Sequence, residues 1–273
     1  MIGPWRHWQR WSQQRQLRHG RIPVGLWERV LDAGVDRYGL DHRELHRLRE
    51  LASLFLHRKV IHGAGGQQVD DFMRAWIATE ACLLILNLDL ADYDGWREIL
   101  VYPGTFAVTR EVTDDIGLVH EERSLLGGEA WGQGPVILAW DDARPGAHPH
   151  GEGSNVILHE FAHKLDKGNG VANGMPPLHP DMNRREWTRT FTRAYARLQR
   201  RLEHHHHTRI DPYAAESPAE FFAVVSEEFF EVPVRLYAAE PGIYALLRQY
   251  YRQDPLRRTS GRHSLVRPLP CRR

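Results

Sequence analysis

Apolar residues recur at steps of three and four over Leu45, Leu48, Leu51 and Phe55, the spacing of a helix with one buried face. Similar patterning over Asp70–Asn87, with Phe72, Trp76, Ala81, Leu83 and Leu84, predicts a second helix. Residues 1–95 therefore read as a mostly helical part, with Pro23 and Gly25 breaking the chain before the first periodic stretch. The pattern then shortens. Ile99–Tyr102 and Thr105–Thr109 are β-like runs divided by Pro103-Gly104, and Gly127, Gly128, Gly132 and Gly134 mark a loop-rich stretch. Val136–Trp140 is the strongest strand candidate, and Pro145–Gly153 reads as turns. Helical periods return afterwards. Ser154 or Asn155 is placed to cap a helix through Leu165, and further helices are predicted over Arg184–Leu202, Ser217–Glu231 and Leu236–Tyr251. From Arg252 the chain has seven arginines, one acid and three prolines, so residues 256–273 read as an extended, disordered tail.

Composition narrows the class. Of 273 residues, 42% are hydrophobic and 26% charged, enough apolar material for a globular core. A formal charge of +1 provides no overall field for nucleic acid or a membrane, and the apolar run Ala81–Leu86 is too short to span one. The N-terminus has no apolar stretch of the signal-peptide kind. Cys82 and Cys271 cannot build a disulfide framework, which points to a reduced, cytoplasmic setting. Among 17 histidines, the run His204–His207 reads as a solvated helix end or loop, with an accessory metal site as the alternative. Trp5, Trp8 and Trp11 suit either a partner surface or packing on the first helices.

His159-Glu160-Phe161-Ala162-His163 has the pattern H-E-x-x-H. On a helix the two imidazoles stand one turn apart and can share a metal ion, while Glu160 is placed to accept a proton from water. In so histidine-rich a chain the five residues are suggestive rather than decisive; their plain alternative is two core histidines bonded to carbonyls. A catalytic site needs a third ligand. Glu220 and Glu227 both fit, lying two turns apart on roughly one face of the predicted Ser217–Glu231 helix. Ser217-x-x-Glu220 is also a capping box, which would turn Glu220 back on its own helix. Spacing alone leaves the choice open.

The blocks HEFAHKLD (His159–Asp166), Asn173–Leu178, YAAESPAEFF (Tyr213–Phe222), Ser226-Glu227 and Phe229-Phe230-Glu231 resemble the Mlc titration factor A family. Val101–Phe106, Gly128–Trp131 and Gly134–Trp140 match its pattern upstream, so the resemblance covers about residues 20–255. It implies an α+β, mostly helical, zincin-like fold with a small sheet, similar to the catalytic domain of anthrax lethal factor, with residues 96–255 as the catalytic part. It implies one Zn2+ ion on His159, His163 and Glu220, with Glu160 as general base and Tyr213 as donor to the oxyanion. Glu227 then becomes a supporting carboxylate, and Asp166, seven residues after His159, is a candidate to receive a ligand's ring N–H. By analogy with zincins, Val136–Trp140 is expected at the sheet edge, where an extended peptide would pair.

Two functions follow from the resemblance. One is a cytoplasmic, gluzincin-type metallopeptidase, aminopeptidase-like, acting on a peptide or protein substrate. The other is a binding protein that sequesters a sugar-responsive transcriptional repressor, its zinc site regulatory or vestigial. An intact Glu160 favours the first. A purely structural zinc site would want four closed ligands, and neither cysteine has metal-ligand spacing.

Overall fold

The computed structural model describes residues 20–258, apart from 105, 114–118, 127, 131–133 and 149–151, with the backbone alone over the rest of 106–130. The three early tryptophans, Trp131 and the tail beyond Arg258 lie outside the described residues. Pro23, expected to break the chain, instead opens α1 (Val24–Asp32). Asp41 caps α2 (His42–Arg58) by a reciprocal box with Glu44, and Leu48, Leu51 and Phe55 form its buried stripe. Asp70 caps α3 (Asp71–Leu84), which stops short of Asn87 as the chain turns at Ile85.

The described strands all fall between Val60 and Ala139. β1 (Val60–Gly63), β2 (Glu98–Tyr102) and β6 (Val136–Ala139) run parallel in that order, and β5 (Gly128–Ala130) pairs antiparallel with β6. β3 (Phe106–Thr113) and β4 (Val119–Leu126) form a separate antiparallel ribbon. Two expectations are corrected here. The VILAW segment is an interior strand, ending where Trp140 starts the short α4 (Trp140–Ala143). The edge strand beside it is β5, inside the stretch read as loop, with β1 at the other edge; Gly-Glu-Ala has low strand propensity, and pairing with Ile137 and its neighbours makes it a strand.

Asn155 rather than Ser154 caps α5 (Val156–Asp166), accepting from the amides of Ile157 and Leu158. α6 (Arg184–Glu203) and α7 (Pro218–Glu231) follow closely where the periodicity places them. The last expected helix is two, α8 (Pro233–Ala239) and α9 (Pro241–Tyr251). Pro241 has no amide hydrogen to continue a helix and excludes helical backbone at Glu240, so the break falls there.

α5 is enclosed by α3, α7 and β5, and ten of its 11 residues are buried, its polar ones included. Phe161 anchors it in the core, its ring centroid 5.7 Å from Phe55, 5.4 Å from Tyr93 and 5.6 Å from Trp96. Phe161→Ala is expected to cost about 3–5 kcal/mol in urea unfolding. A loss below about 1 kcal/mol would show that the cluster does not hold the helix.

Candidate metal centre

α5 presents His159 and His163 one turn apart, and the first turn of α7 brings Glu220 to both. Glu220 Oε2 is 2.9 Å from His159 Nε2 and 3.3 Å from His163 Nε2, and the two Nε2 atoms are 3.1 Å apart. One donor atom from each residue lies within 4.8 Å of the other two. Two imidazoles and a carboxylate are a donor set suited to a divalent transition metal. The histidines' facing nitrogens are thus engaged with each other and Glu220, not with carbonyls. The capping-box alternative for Glu220 is half realised: its amide donates to Ser217 Oγ at 3.1 Å, but its carboxylate turns to the imidazoles.

Glu227 stands behind His159. Its Oε1 is 2.5 Å from His159 Nδ1, and its Oε2 accepts from the Asn155 amide at 2.7 Å. A carboxylate in its ionised form only accepts, so Nδ1 carries the shared hydrogen and Nε2 is the nitrogen turned to the centre. Burial opposes charge on His159, but Glu227 and Glu220 outweigh it and raise its pKa well above the usual imidazole value. Burial lowers that of His163. For Glu220 burial again opposes the charge, and the two imidazoles overcome it, holding the carboxyl far below the usual range.

Glu160 differs from its neighbours. It is buried, its Oε2 has no hydrogen-bond partner among the described residues, and burial pushes its pKa up to about 7. It lines a cavity of about 440 Å³ together with His159, Tyr213, Asp142, His148 and Arg235. Tyr213 sits on a 3-10 turn (Pro212–Ala215), half exposed, its ring centroid 5.9 Å from that of His159. Burial and the Glu220 carboxylate raise its phenol pKa, so it stays protonated at neutral pH.

Asp166 is the predicted site residue that the structure turns elsewhere. Its Oδ2 accepts from the Gly174 amide at 2.8 Å, and among the described residues no hydrogen bond links it to either histidine. Gly174, with φ +77°, allows a close crossing: a Cβ there would fall 2.4 Å from the Pro218 carbonyl. Its own carbonyl accepts from Trp187 Nε1 at 3.0 Å. Asp166 thereby joins the end of α5 to the start of α7, two residues before Glu220.

Sequence reasoning missed three supports. Lys164 Nζ donates to the Gly134 carbonyl at 2.8 Å, fastening the approach to β6 onto α5. Glu228 Oε1 accepts from Arg235 Nη2 at 3.2 Å and from the Asp211 amide at 3.4 Å, holding the turn that carries Tyr213. Asn155 does more than cap α5, since its backbone amide also donates to Glu227. None carries a local signature, because each partner lies on another element or loop. His204–His207 are exposed beyond α6, and among the described residues they form no three-donor group.

A mostly helical α+β protein with a buried helix offering two imidazoles to a carboxylate on its neighbour has the features of a metalloprotein. The chain belongs to the glucose-regulated metallo-peptidase M90 family, whose pattern it matches over residues 8–252. It is 36% identical over 250 residues to Mlc titration factor A of Escherichia coli, covering 91% of this chain and 92% of that one. The corresponding protein of Klebsiella pneumoniae shows the same identity and coverage. An uncharacterised protein of Synechocystis sp. is 37% identical over 252 residues, 92% of this chain and 91% of that one. A metallopeptidase family implies a divalent metal, and His159, His163 and Glu220 fit one.

Burial raises the Asp166 pKa to about 6, above the roughly 3.9 of an unfolded aspartate. The folded state therefore binds the extra proton between these values, and this group's contribution falls as pH rises from about 4 to 6. Asp166→Asn keeps an acceptor for Gly174 without the buried charge. Its stability relative to wild type should be higher at pH 7.5 than at pH 4.5, by up to about 2 kcal/mol in urea unfolding. A pH-independent difference would refute the assignment.

Proposed function

We propose that the protein is a zinc-dependent peptidase of the gluzincin type, aminopeptidase-like in action. The observation that carries this reading is Glu160, a buried carboxylate with one oxygen unpartnered among the described residues, on the cavity beside a three-donor group. A structural or vestigial metal site has no use for it. In this reading His159 and His163, through Nε2, and Glu220, through its carboxylate, hold the ion. Zinc bound there supplies Lewis acidity, polarising a carbonyl and acidifying water.

The chain's own residues do the rest. Glu160 takes a proton from the attacking water at its carboxylate and passes it to the leaving amine. Tyr213 donates its O–H to the oxygen on which negative charge develops. Glu227 fixes the ring of His159. An extended peptide would pair with the open side of β5, bringing its carbonyl across α5. Asp142, Glu152 and Asp211 on the cavity wall give it a charge suited to a free α-ammonium.

The name of the E. coli and Klebsiella relatives, Mlc titration factor A, supports a partner as well as a substrate: Mlc, in our reading a sugar-responsive transcriptional repressor. Such a partner, like the buried free thiol of Cys82, suits the cytoplasm. No described helix is long and apolar enough to cross a membrane.

Hydrolysis of aminoacyl-nitroanilides should stop with a chelator and fall by about 10²–10⁴-fold in kcat for Glu160→Gln. Tyr213→Phe should lose about 10²–10³-fold in kcat with KM little changed. Activity that survives Glu160→Gln would sink the mechanism. A silent wild type that holds zinc through His159 and His163 would favour repressor binding instead.

A further inference from the structure

α5 and α7 face each other along two stripes. The cap Asn155 and the α5 residues His159 and His163 are spaced four apart; Glu220, Glu227 and Glu231 are spaced seven and four apart on α7, which also places them on one face. The stripes run antiparallel: Glu220 meets both histidines, Glu227 meets His159 and the Asn155 amide, and Glu231 meets the Asn155 side chain. The third rung touches no candidate ligand, yet it is the most heavily supported of the three.

Asn155 uses all of its carboxamide. Oδ1 accepts from the Ile157 and Leu158 amides, both at 3.1 Å. Nδ2 donates to Glu80 Oε2 at 2.8 Å and to Glu231 Oε1 at 2.9 Å. Those two carboxylates are themselves fixed. Arg37 Nη2 donates to both, at 3.2 Å to Glu80 and 3.1 Å to Glu231, and Tyr38 Oη lies 2.5 Å from Glu80 and 2.8 Å from Glu231. Helix capping alone would be served by serine, threonine or aspartate. Only a carboxamide also supplies two donors, and aspartate would bring a third carboxylate against Glu80 and Glu231.

We propose that Asn155 is a positioning residue of the metal centre. Its side chain ties the N-terminal cap of α5 to the Arg37–Tyr38–Glu80–Glu231 cluster; its backbone amide then holds Glu227, and Glu227 holds the ring of His159. The proposal rests on reading His159, His163 and Glu220 as ligands.

The test uses the full chain loaded with zinc or with Co2+, whose strong visible bands report a four-coordinate site and not the exposed His204–His207. Asn155→Asp keeps the cap and loses both donors. It should weaken zinc binding, measured against a competing chelator, by about 10–100-fold and shift the cobalt bands. Asn155→Ser, with a cap and a single donor, should fall between Asn155→Asp and wild type, and it serves should the aspartate variant not fold. A role in capping alone predicts wild-type affinity for both. Affinity and bands within about twofold of wild type in whichever variant folds would overturn the proposal and leave the metal reading intact. Wild-type bands that persist in His163→Ala would overturn the metal reading and the proposal with it.

Discussion

The Glu227 carboxylate bonds at once to the amide that begins α5 and to the imidazole of His159, and the candidate centre is built outward from it. The constraint behind this is burial. α5 carries two histidines, a glutamate, a lysine and an aspartate into the interior, where an unpartnered polar group costs about 1–3 kcal/mol and an unpaired charge more. The two histidines find partners on α7, Lys164 finds one just before β6, and Asp166 finds one in the Gly174 turn. Among the described residues neither Glu160 Oε2 nor Asp166 Oδ1 finds one, and of the two carboxylates only Glu160 lines the cavity.

Meeting that constraint makes the cleft rigid. Asp166 pins the Gly174 turn, and Gly174 lies against Pro218 and Trp187, which fixes the separation of α5 from α7 where Glu220 begins its reach. Lys164 secures the approach to β6, and Glu228 secures the turn bearing Tyr213. On the opposite side of α5, Phe161 packs among three aromatic rings. The helix is thus anchored by an apolar face and an ionic one, so its imidazoles have little freedom to drift. A small donor set gains from such fixing, since positions held by packing and hydrogen bonds need not be ordered when a ligand arrives.

Family membership and geometry bear on different questions. The match over residues 8–252 assigns the chain to a group of metallopeptidases. The placement of Glu160, Tyr213 and Glu227 around one cavity is what the proposed catalytic use of the centre rests on. The histidine run on the far end of α6 takes no part in that cavity. Its abundance of imidazole is no guide to the site, because a metal needs donors that converge rather than donors that are numerous.

Local chemistry made much of this legible in one dimension. The four-residue spacing of His159 and His163, the capping pattern at Ser217, and the apolar period of α2 and α3 are properties of short segments, so the sequence by itself determined those helices. It also placed both imidazoles on one face. It did not determine β5, whose Gly-Glu-Ala becomes a strand only beside β6, nor the break at Pro241 within an otherwise periodic stretch. The division of labour between Glu220 and Glu227 was equally undecided by spacing, since both occupy one face of α7. Tertiary structure decided it by setting α7 antiparallel to α5, so that one glutamate meets Nε2 and the other Nδ1. Asp166 went to Gly174, and Asn155 to Glu80 and Glu231, for the same reason. A buried polar group takes the partner that packing brings within about 3 Å, and residues 8 to 76 positions away along the chain carry no mark of that approach.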